Sequence, residues 1–418
     1  MSQQKNFVSL LAIAAFIYAT ESIASLPLPT AKNPEEVGLS SVQLARVEAV
    51  TREHVKSGLV PGAVMLVARK GKVAWFKTIG LRDRDSGDQM RSDAIFRIYS
   101  MTKPIVSVAA MMLVEEGRMQ ITDPVSKYLP EMAGMKVAVE KTDAAGKPTF
   151  ELVATEREMT VQDLLRHTSG LIDGARGKSA IYDAYTQARI GERGVNNQEF
   201  ATRVSKLPLR FSPGARFEYG ISTHVLGRVL EVIENKSLGE ILETRVLRPL
   251  GMVDTSFFLS ANKLTRAAQP WFRPGIQQQP LFDVSEKPAL ESGGGGLVST
   301  TEDYLRFALM LASGGEFKGK RLVGKKTIEF MTADHLGKTQ GRPPGLGFGL
   351  GFEVRTMIGE AGMPGSVGEY GWSGFAGTIF WVDPKEDLIA IYMVQAAASD
   401  RNMLRNQFRS MVQAAVIR

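Results

Sequence analysis

The chain has 418 residues, of which 44% are hydrophobic and 23% charged, so it is long enough for a large core and two structural regions. Its 51 basic and 44 acidic residues give a net charge of +7, but the charges are mixed along the chain, which argues against a nucleic-acid-binding surface. The absence of cysteine excludes thiol catalysis, disulfide bonds and thiolate zinc sites. None of the four histidines has the spacing of an H-E-x-x-H zinc site, and we expect neither a metal nor a cofactor.

The N-terminus combines one lysine, Lys5, with an apolar run over Phe7–Ala19 and the small-residue pattern Ser22-Ile23-Ala24. This arrangement predicts a signal peptide over residues 1–24, whose removal would leave a periplasmic or secreted protein. The apolar run is too short for a stable membrane span. The alternative is an unprocessed N-terminal segment on a cytoplasmic protein.

Both ends of the chain show the patterns of helices and antiparallel strands. Helical spacing of apolar residues predicts a helix near each end, and short apolar runs between turn residues predict strands. The helices are predicted at Ser41–Ser57 and Asp400–Ile417, and the strands at Ala63–Ala68, Val73–Ile79, Leu350–Val354, Gly377–Val382 and Leu388–Val394. These strands can pair into one sheet that a helix from each end covers. We therefore assign residues 35–98 and 293–418 to one α/β domain with an antiparallel sheet.

The middle of the chain is mostly helical, and we assign residues 99–292 to a second domain. Helices are predicted at Ile105–Val114 and Val161–Arg166, and beyond this domain at Thr301–Ala312, while Val225–Val246 is predicted to be largely helical. Long polar stretches separate them at Glu140–Glu156, Asp173–Gln198 and Arg266–Pro288. Loops of this length often border a binding pocket.

The segment Ser100–Pro104, with the sequence S-M-T-K-P, carries the first pattern that indicates chemistry. The Ser-x-x-Lys spacing places a hydroxyl and an amine on one helix face, and the amine can accept the hydroxyl proton when it is neutral. Pro104 is tolerated only near a helix start, so Ser100 should lie near an N-terminus, where backbone N–H groups point at the attacked group. Ser2–Lys5 and Ser260–Lys263 show the same spacing, but the first lies at the extreme N-terminus and the second is not followed by an apolar helix.

Two later segments can complete such a site. Tyr219 follows the turn Ser212–Gly214, and a tyrosine at a loop end can share a proton with a serine and a lysine. Residues Gly371–Gly377 read G-W-S-G-F-A-G, and small residues that open a strand let a substrate approach the backbone closely. Taken alone, a core tyrosine and a strand bend are the simpler explanations of these two segments.

The order of the three motifs resembles the serine β-lactamase and penicillin-binding-protein superfamily, and most of all its class C β-lactamase-like branch, the family VIII carboxylesterases. Further matches lie at Leu164–Leu171, Ser212–Gly214 and Gly294–Thr300, and the resemblance runs from about Asn33 to the C-terminus. It implies an α+β, serine β-lactamase/DD-peptidase-like fold. In this fold an antiparallel sheet is flanked by the N- and C-terminal helices and accompanied by a mostly helical second domain.

The resemblance also implies a role for each matching position. Ser100 is the expected nucleophile, Lys103 assists its deprotonation, and Tyr219 is the general base that later protonates the leaving group. The backbone N–H groups of Ser100 and Phe375 are the expected oxyanion hole. The expected substrate-binding residues are Trp372, Ser373, Gly374 and Ile221.

Two positions depart from the β-lactamase pattern. Trp372-Ser373-Gly374 stands where β-lactamases have Lys-Thr-Gly, and tryptophan cannot supply the lysine charge that helps bind a substrate carboxylate. Ile221 stands where an asparagine normally follows the tyrosine by two residues, and Ser222 can replace that asparagine only if the register slips by one. Both departures favour simple esters over β-lactams.

We therefore expect a carboxylesterase that hydrolyses small, short-acyl esters through an acyl-enzyme, with weak cephalosporin hydrolysis as a side activity. A β-lactamase or DD-peptidase of the same fold and a non-catalytic binding protein that keeps the fold are the alternatives.

His167, next to Thr168-Ser169, permits a Ser–His pair, but the resemblance treats this segment as a structural turn. Gly314–Arg321 resembles a phosphate-binding loop, but Arg321 stands where a serine or threonine should hold magnesium. A small-molecule ester is the expected partner, and the oligomeric state stays open.

Overall fold

The computed structural model describes residues 26–192, 194–271, 281–396 and 400–418. Its strands are β1 Gly62–Arg69, β2 Lys72–Asp83, β3 Asp88–Gln89, β4 Phe96–Arg97, β5 Lys136–Thr142, β6 Pro148–Ala154, β7 Val298–Ser299, β8 Glu316–Phe317, β9 Lys320–Arg321, β10 Leu346–Phe348, β11 Glu353–Arg355, β12 Tyr370–Ser373, β13 Ile379–Asp383 and β14 Leu388–Val394. Its α-helices are α1 Ser41–Lys56, α2 Thr102–Glu115, α3 Val161–Leu165, α4 Ala180–Gln187, α5 Asn197–Ser205, α6 Ser222–Glu234, α7 Leu238–Leu242, α8 Arg248–Leu250, α9 Ala261–Leu264, α10 Thr301–Ala312, α11 Lys325–Met331 and α12 Arg401–Gln413. Short 3-10 helices lie outside these elements, and those at Tyr99–Met101 and Gly174–Arg176 border the site described below.

Eight of the described strands form one antiparallel sheet in the order β10-β11-β12-β13-β14-β1-β2-β3. At its centre β1 pairs with β14, with Ala63 opposite Val394 and Arg69 opposite Leu388. Strands from the two ends of the chain are therefore neighbours in the sheet. This arrangement confirms the predicted antiparallel sheet built from both ends of the sequence.

Helices cover both faces of this sheet, and successive side chains of β1 point to opposite faces. Those of Ala63, Met65 and Val67 pack in a cluster with buried residues of α1 and α12, namely Leu44, Val47, Leu404, Phe408 and Val412. The intervening side chains of β1 join a second cluster that contains α2 and α10. Because both faces are buried, β1 reads as a continuous apolar run.

The helix that follows Ser100 lies in the interior. Every residue of α2 from Thr102 to Met111 is buried, as the apolar run predicts. Pro104 occupies its first turn, where the missing N–H removes no helical hydrogen bond. The Tyr304 hydroxyl of α10 donates to the Met101 carbonyl at 2.8 Å, which holds the start of α2 against its neighbour.

The stretch Val225–Val246 is largely helical, as predicted: α6 ends at Glu234, where Asn235 adopts a left-handed conformation with φ +53°, and α7 begins at Leu238. Two predicted loops were wrong. The stretch Glu140–Glu156 is not a loop but most of the hairpin β5–β6. The stretch Asp173–Gln198 contains α4, whose Tyr182 and Tyr185 are buried.

The domain boundaries at residues 35–98, 99–292 and 293–418 remain a prediction, and the predicted signal peptide, residues 1–24, lies outside the described residues. None of the helices described in the structure combines the length and the apolar character needed to cross a membrane.

Candidate active site

The turn that carries Ser100 has a strained backbone. Tyr99 has φ +44°, in the left-handed region that bulky side chains rarely adopt. The chain passes from here through the 3-10 helix Tyr99–Met101 directly into α2. Ser100 therefore lies at the start of a buried helix, as the sequence predicts. Strain of this kind is concentrated at functional sites, and here it adjoins the expected nucleophile.

Lys103 lies one helical turn beyond Ser100 and is only 3% exposed. Its Nζ is 3.2 Å from Ser100 Oγ and donates to the carbonyl oxygen of Gly294 at 2.5 Å. The Gly294 carbonyl thus fixes the amine beside the serine hydroxyl. Burial strengthens the electrostatic effect of the amine on its neighbours, because little water screens it.

Tyr219 brings a third titratable group to the same place. Lys103 Nζ lies 4.6 Å from the centre of the Tyr219 ring, and Trp372 Nε1 donates to the Tyr219 hydroxyl at 3.3 Å. Burial alone raises the pKa of Tyr219, but the charge of Lys103 and hydrogen bonds with Lys103, Ser100 and Trp372 outweigh it. The pKa of Tyr219 is therefore lowered from its ordinary value of 10. A phenolate accepts protons, so this arrangement can deprotonate a serine hydroxyl.

The segment after β12 packs against the turn that leads into Ser100. A hydrogen bond between its first and last residues closes the turn Gly374–Gly377. A Cβ on Gly374 would lie 2.3 Å from the carbonyl oxygen of Ile98, so glycine permits the close approach. The buried guanidinium of Arg405, from α12, donates to the Gly374 carbonyl and holds the turn from behind.

Two backbone amides at this junction can bind an oxyanion. The hydrogen bond that closes the Gly374–Gly377 turn joins its end residues and does not involve the amide of Phe375, the second residue. The amide of Ser100 belongs to the first turn of a helical segment, where N–H groups have no partner within the helix. The rings of Tyr99 and Phe375 are 5.4 Å apart, so the two segments adjoin. Paired amides of this kind stabilise tetrahedral intermediates of acyl transfer.

Two histidines border the cluster in their neutral form, His167 in the interior and His224 half-buried. Burial, together with the charge of Lys103, lowers the pKa of His224 to about 3. Burial also lowers the pKa of His167 well below its ordinary value, with further contributions from Lys103 and Arg176. The ring of His167 packs 4.7 Å from that of Tyr219. Histidines with such pKa values are weak bases, which favours a packing role for His167 over a Ser–His pair.

The remaining predicted positions differ in what they offer a ligand. Trp372 and Ser373 are half-buried at the end of β12. Ile221 is only 6% exposed and packs in the core at the start of α6, so its role in substrate binding stays a prediction. The Ser222 hydroxyl lies 2.9 Å from that of Ser169 in the interior, so the shift of register that would turn Ser222 toward a substrate does not occur.

Two groups at the site, a backbone carbonyl and a guanidinium, are not indicated by any pattern in the sequence. Gly294 belongs to a glycine run that the motifs include, yet nothing in that run shows that its carbonyl holds Lys103. Arg176 lies with its guanidinium 4.5 Å from the centre of the Tyr219 ring. It comes from a polar stretch without periodicity, and only the folded chain shows its position.

Comparison with known proteins identifies the family. Residues 47–412 match the family described as Beta-lactamase. The chain belongs to the β-lactamase family. Protein Rv1367c of Mycobacterium tuberculosis is 37% identical over 364 residues, which cover 83% of this chain and 89% of that protein. Esterase EstB of Burkholderia gladioli is 30% identical over 393 residues, which cover 87% of this chain and 94% of that protein. This β-lactamase-family protein is a serine hydrolase, and its resemblance to the family VIII esterases is confirmed.

Solved structures confirm the fold class of this β-lactamase-family protein. EstCE1, described as a hydrolase with promiscuous acyltransferase activity, superposes with a TM-score of 0.73 at 23% identity, over 90% of this chain and 98% of its own. Simvastatin synthase LovD of Aspergillus terreus gives 0.72 at 20% identity, over 90% of this chain and 99% of its own. At these identities the comparison establishes the shared fold alone.

Replacing Gly294 with alanine is expected to slow acylation of Ser100 by a fluorophosphonate probe about tenfold or more. The new Cβ would lie 2.0 Å from Cε1 of the His224 ring, so the ring or the backbone at residue 294 must move, and we expect a backbone shift that weakens the hydrogen bond from Lys103. Gly359→Ala is the control, because a Cβ there would meet no atom within 4 Å. Equal labelling rates for both variants would show that the Gly294 carbonyl does not matter.

Proposed function

We propose that this β-lactamase-family protein is a carboxylesterase that hydrolyses small, short-acyl carboxylic esters through an acyl-enzyme on Ser100. The proposal rests on one observation, which is that the side chains of Ser100, Lys103 and Tyr219 lie together. The indole N–H of Trp372 donates to the tyrosine hydroxyl of this group. Esterase EstB, which is similar to this chain over most of its length, adds support through its name.

Acylation follows from the positions of these groups. The Tyr219 phenolate takes the proton of the Ser100 hydroxyl, and Oγ attacks the ester carbonyl carbon. The amides of Ser100 and Phe375 stabilise the negative charge that develops on the carbonyl oxygen. The tetrahedral intermediate then collapses, the alcohol leaves with the proton that Tyr219 returns, and an ester of Ser100 remains. Lys103, whose amine is held by the Gly294 carbonyl, lowers the pKa of Tyr219 and orients Ser100 Oγ.

Deacylation uses the same groups with water in place of the serine hydroxyl. Tyr219 removes a proton from water, and the hydroxide attacks the acyl carbon bound to Ser100. The same amides hold the second oxyanion. Collapse of this intermediate returns the proton from Tyr219 to Ser100 Oγ and releases the carboxylic acid, so the site is regenerated without any other reactant.

The groups around the serine favour esters over β-lactams. Trp372 presents an indole where the lysine of β-lactamases binds a substrate carboxylate, and its N–H is engaged by Tyr219. Ile221 is apolar, and the Ser222 hydroxyl is engaged by Ser169, so neither provides the amide that would bind a β-lactam side chain. We therefore rank a β-lactamase or DD-peptidase function second and expect cephalosporins to be hydrolysed weakly.

A paired assay tests this proposal. The purified protein is expected to hydrolyse p-nitrophenyl butyrate with a kcat/KM of at least about 10⁴ M⁻¹ s⁻¹, the low end of ordinary enzyme efficiencies, and to hydrolyse nitrocefin at least a hundredfold less efficiently. Intact-mass spectra during turnover should show an acyl adduct, and peptide mapping should place it on Ser100. Efficient penicillin hydrolysis with slow ester turnover would favour the β-lactamase alternative. Failure to label with a fluorophosphonate would indicate a non-catalytic protein.

A further inference from the structure

A cavity of about 250 Å³ lies apart from the expected catalytic groups, none of which lines it. It is bounded by α7, by the π-helical turn Glu243–Leu247 that continues α7, and by the segment Thr255–Phe258. Such π-helical turns are rare and are often found at functional sites. The apolar residues of the cavity wall are Leu242, Leu247, Phe257, Phe258 and Leu297. A cavity of this size and lining accommodates a small ligand with an apolar group.

Leu297 connects this cavity to the turn that carries Ser100. Leu297 lines the cavity and is fully buried. Its backbone N–H donates to Thr102 Oγ1 at 3.1 Å, and its carbonyl oxygen accepts from the N–H of Ile98 at 3.0 Å. Ile98 precedes the expected nucleophile by two residues and Thr102 follows it by two. A ligand packed on Leu297 therefore contacts a residue that holds both sides of the nucleophile turn.

The glycine-rich segment Gly293–Leu297 packs between the cavity wall and this turn. A Cβ on Gly296 would lie 2.8 Å from Cδ1 of the Phe257 ring, so the ring lies directly against the segment. A Cβ on Gly295 would lie 3.6 Å from the carbonyl carbon of Tyr99, so the preceding residue faces the nucleophile turn. The carbonyl of the next residue back, Gly294, accepts from the amine of the expected catalytic lysine. The segment can therefore transmit a contact in the cavity to the expected catalytic groups.

Glu291 brings a nearly buried carboxylate to the same cavity. Its side chain is 8% exposed, and its Oε2 accepts from the N–H of Gly239 at 2.6 Å, which fixes its position. Lys287 Nζ lies 3.5 Å from Glu291 Oε1, but the lysine side chain is 59% exposed, so water screens this long contact. A protonated amine on a ligand can take the place of Lys287 beside this carboxylate and form a charge-assisted hydrogen bond.

The other charged groups of the lining lie at its exposed mouth. Glu240 accepts from the N–H of Ser237 at 3.0 Å and is exposed. Glu243 Oε1 lies 3.4 Å from Arg248 Nε, and both side chains are at least half exposed. Water screens these groups, so the charge that a ligand meets next to the apolar wall is that of Glu291.

We propose that this cavity is an effector site for a small molecule that carries an aromatic or branched apolar group and a protonated amine, and that its occupation speeds acylation of Ser100. The apolar group packs on Leu297 and Phe257, and the amine binds Glu291. These contacts stabilise the observed position of the glycine-rich segment, in which Gly294 holds Lys103 beside the serine, so binding favours the reactive arrangement. This inference goes beyond the proposed function, because the cavity is separate from the catalytic groups.

Isothermal titration calorimetry with two probes of matched shape tests the binding. At pH 7.5 we expect 2-phenylethylamine, a cation, to bind with a Kd of about 1 mM or below, and at least about tenfold more tightly than the anion 3-phenylpropanoate. Protein already labelled at Ser100 with a fluorophosphonate should bind the amine equally well, because Ser100 does not line the cavity.

Two variants locate the bound amine. Ser256→Trp places an indole in the cavity from a half-buried position and should abolish binding. Glu291→Gln keeps an oxygen that can accept from Gly239 and should weaken binding of the amine about tenfold, while binding of the neutral 2-phenylethanol stays unchanged. Glu53→Gln is the matched control, because Glu53 is exposed on α1, on the opposite face of the sheet from α2.

The rate of fluorophosphonate labelling tests the link to Ser100. Saturating 2-phenylethylamine should raise this rate about threefold or more in the wild type and in Glu53→Gln, and should not change it in Ser256→Trp. Absence of binding to the wild type would overturn the inference. Binding that is lost after Ser100 is labelled would also overturn it, because the amine would then occupy the catalytic site. Binding with an unchanged or slower labelling rate would show that the cavity is not an effector site. None of these results depends on ester hydrolysis, so they leave the test of the proposed function separate.

Discussion

Ser100→Ala is expected to lower kcat for ester hydrolysis by about ten-thousandfold or more and to abolish covalent labelling by a fluorophosphonate. The hydroxyl is the only group that can form the acyl-enzyme in the proposed mechanism, and removal of a serine nucleophile has effects of this size in other hydrolases. The change deletes one oxygen atom at a half-buried position, so we expect the fold to persist. Labelling read by intact mass is the primary measurement, because it does not depend on the choice of substrate.

Ser107→Ala provides a matched control on the same helix. Ser107 is 1% exposed, and its hydroxyl has no hydrogen-bond partner among the described residues, so the substitution breaks no bond. Its kcat and labelling should stay within about twofold of the wild type. Undiminished labelling of the Ser100→Ala protein would place the nucleophile elsewhere, whereas loss in both variants would show that α2 tolerates no change.

The part of the site that was predictable from the sequence is the part fixed by local geometry. Ser100 and Lys103 are three residues apart on one helix, so their contact follows from the helical repeat once the apolar run identifies that helix. Strands β1 and β14 could be predicted because each is a short apolar run between turn residues. We expected them to belong to one sheet because a helix from each end of the chain could then cover that sheet.

The rest depends on contacts between distant residues. The Gly294 carbonyl that holds Lys103 comes from a residue 191 positions away, and no spacing rule connects them. Arg176 lies in a polar stretch that folds into a 3-10 helix and α4 instead of an open loop, and this fold places it against Tyr219. Likewise, the end of α6 at Asn235 depends on one residue in a left-handed conformation, which apolar periodicity does not reveal.

Tyr219→Phe is expected to lower kcat/KM for ester hydrolysis by about a hundredfold to ten-thousandfold, the range typical of a lost general base. Phenylalanine keeps the ring that packs against His167 and Trp372, so the loss reports on the hydroxyl alone. In the wild type, kcat/KM should rise with pH as Tyr219 ionises, and we call this rise the acid limb of the profile. Its pKa should lie below 10, because Lys103 and the hydrogen-bond partners of Tyr219 favour the phenolate. The variant should lose this limb.

Trp372→Phe tests how that pKa is set. The substitution removes the N–H that donates to the Tyr219 hydroxyl and so favours the protonated form, which raises the pKa of Tyr219. The acid limb of kcat/KM should therefore move to higher pH. At a pH well above the limb, kcat/KM should fall less than it does within the limb. Tyr128→Phe is the control, because burial and Asp123 raise the pKa of Tyr128, and its loss should leave the profile unchanged. A limb at the same pH in the wild type, Tyr219→Phe and Trp372→Phe would assign proton transfer to a group other than Tyr219, and Lys103 would then be the base to test.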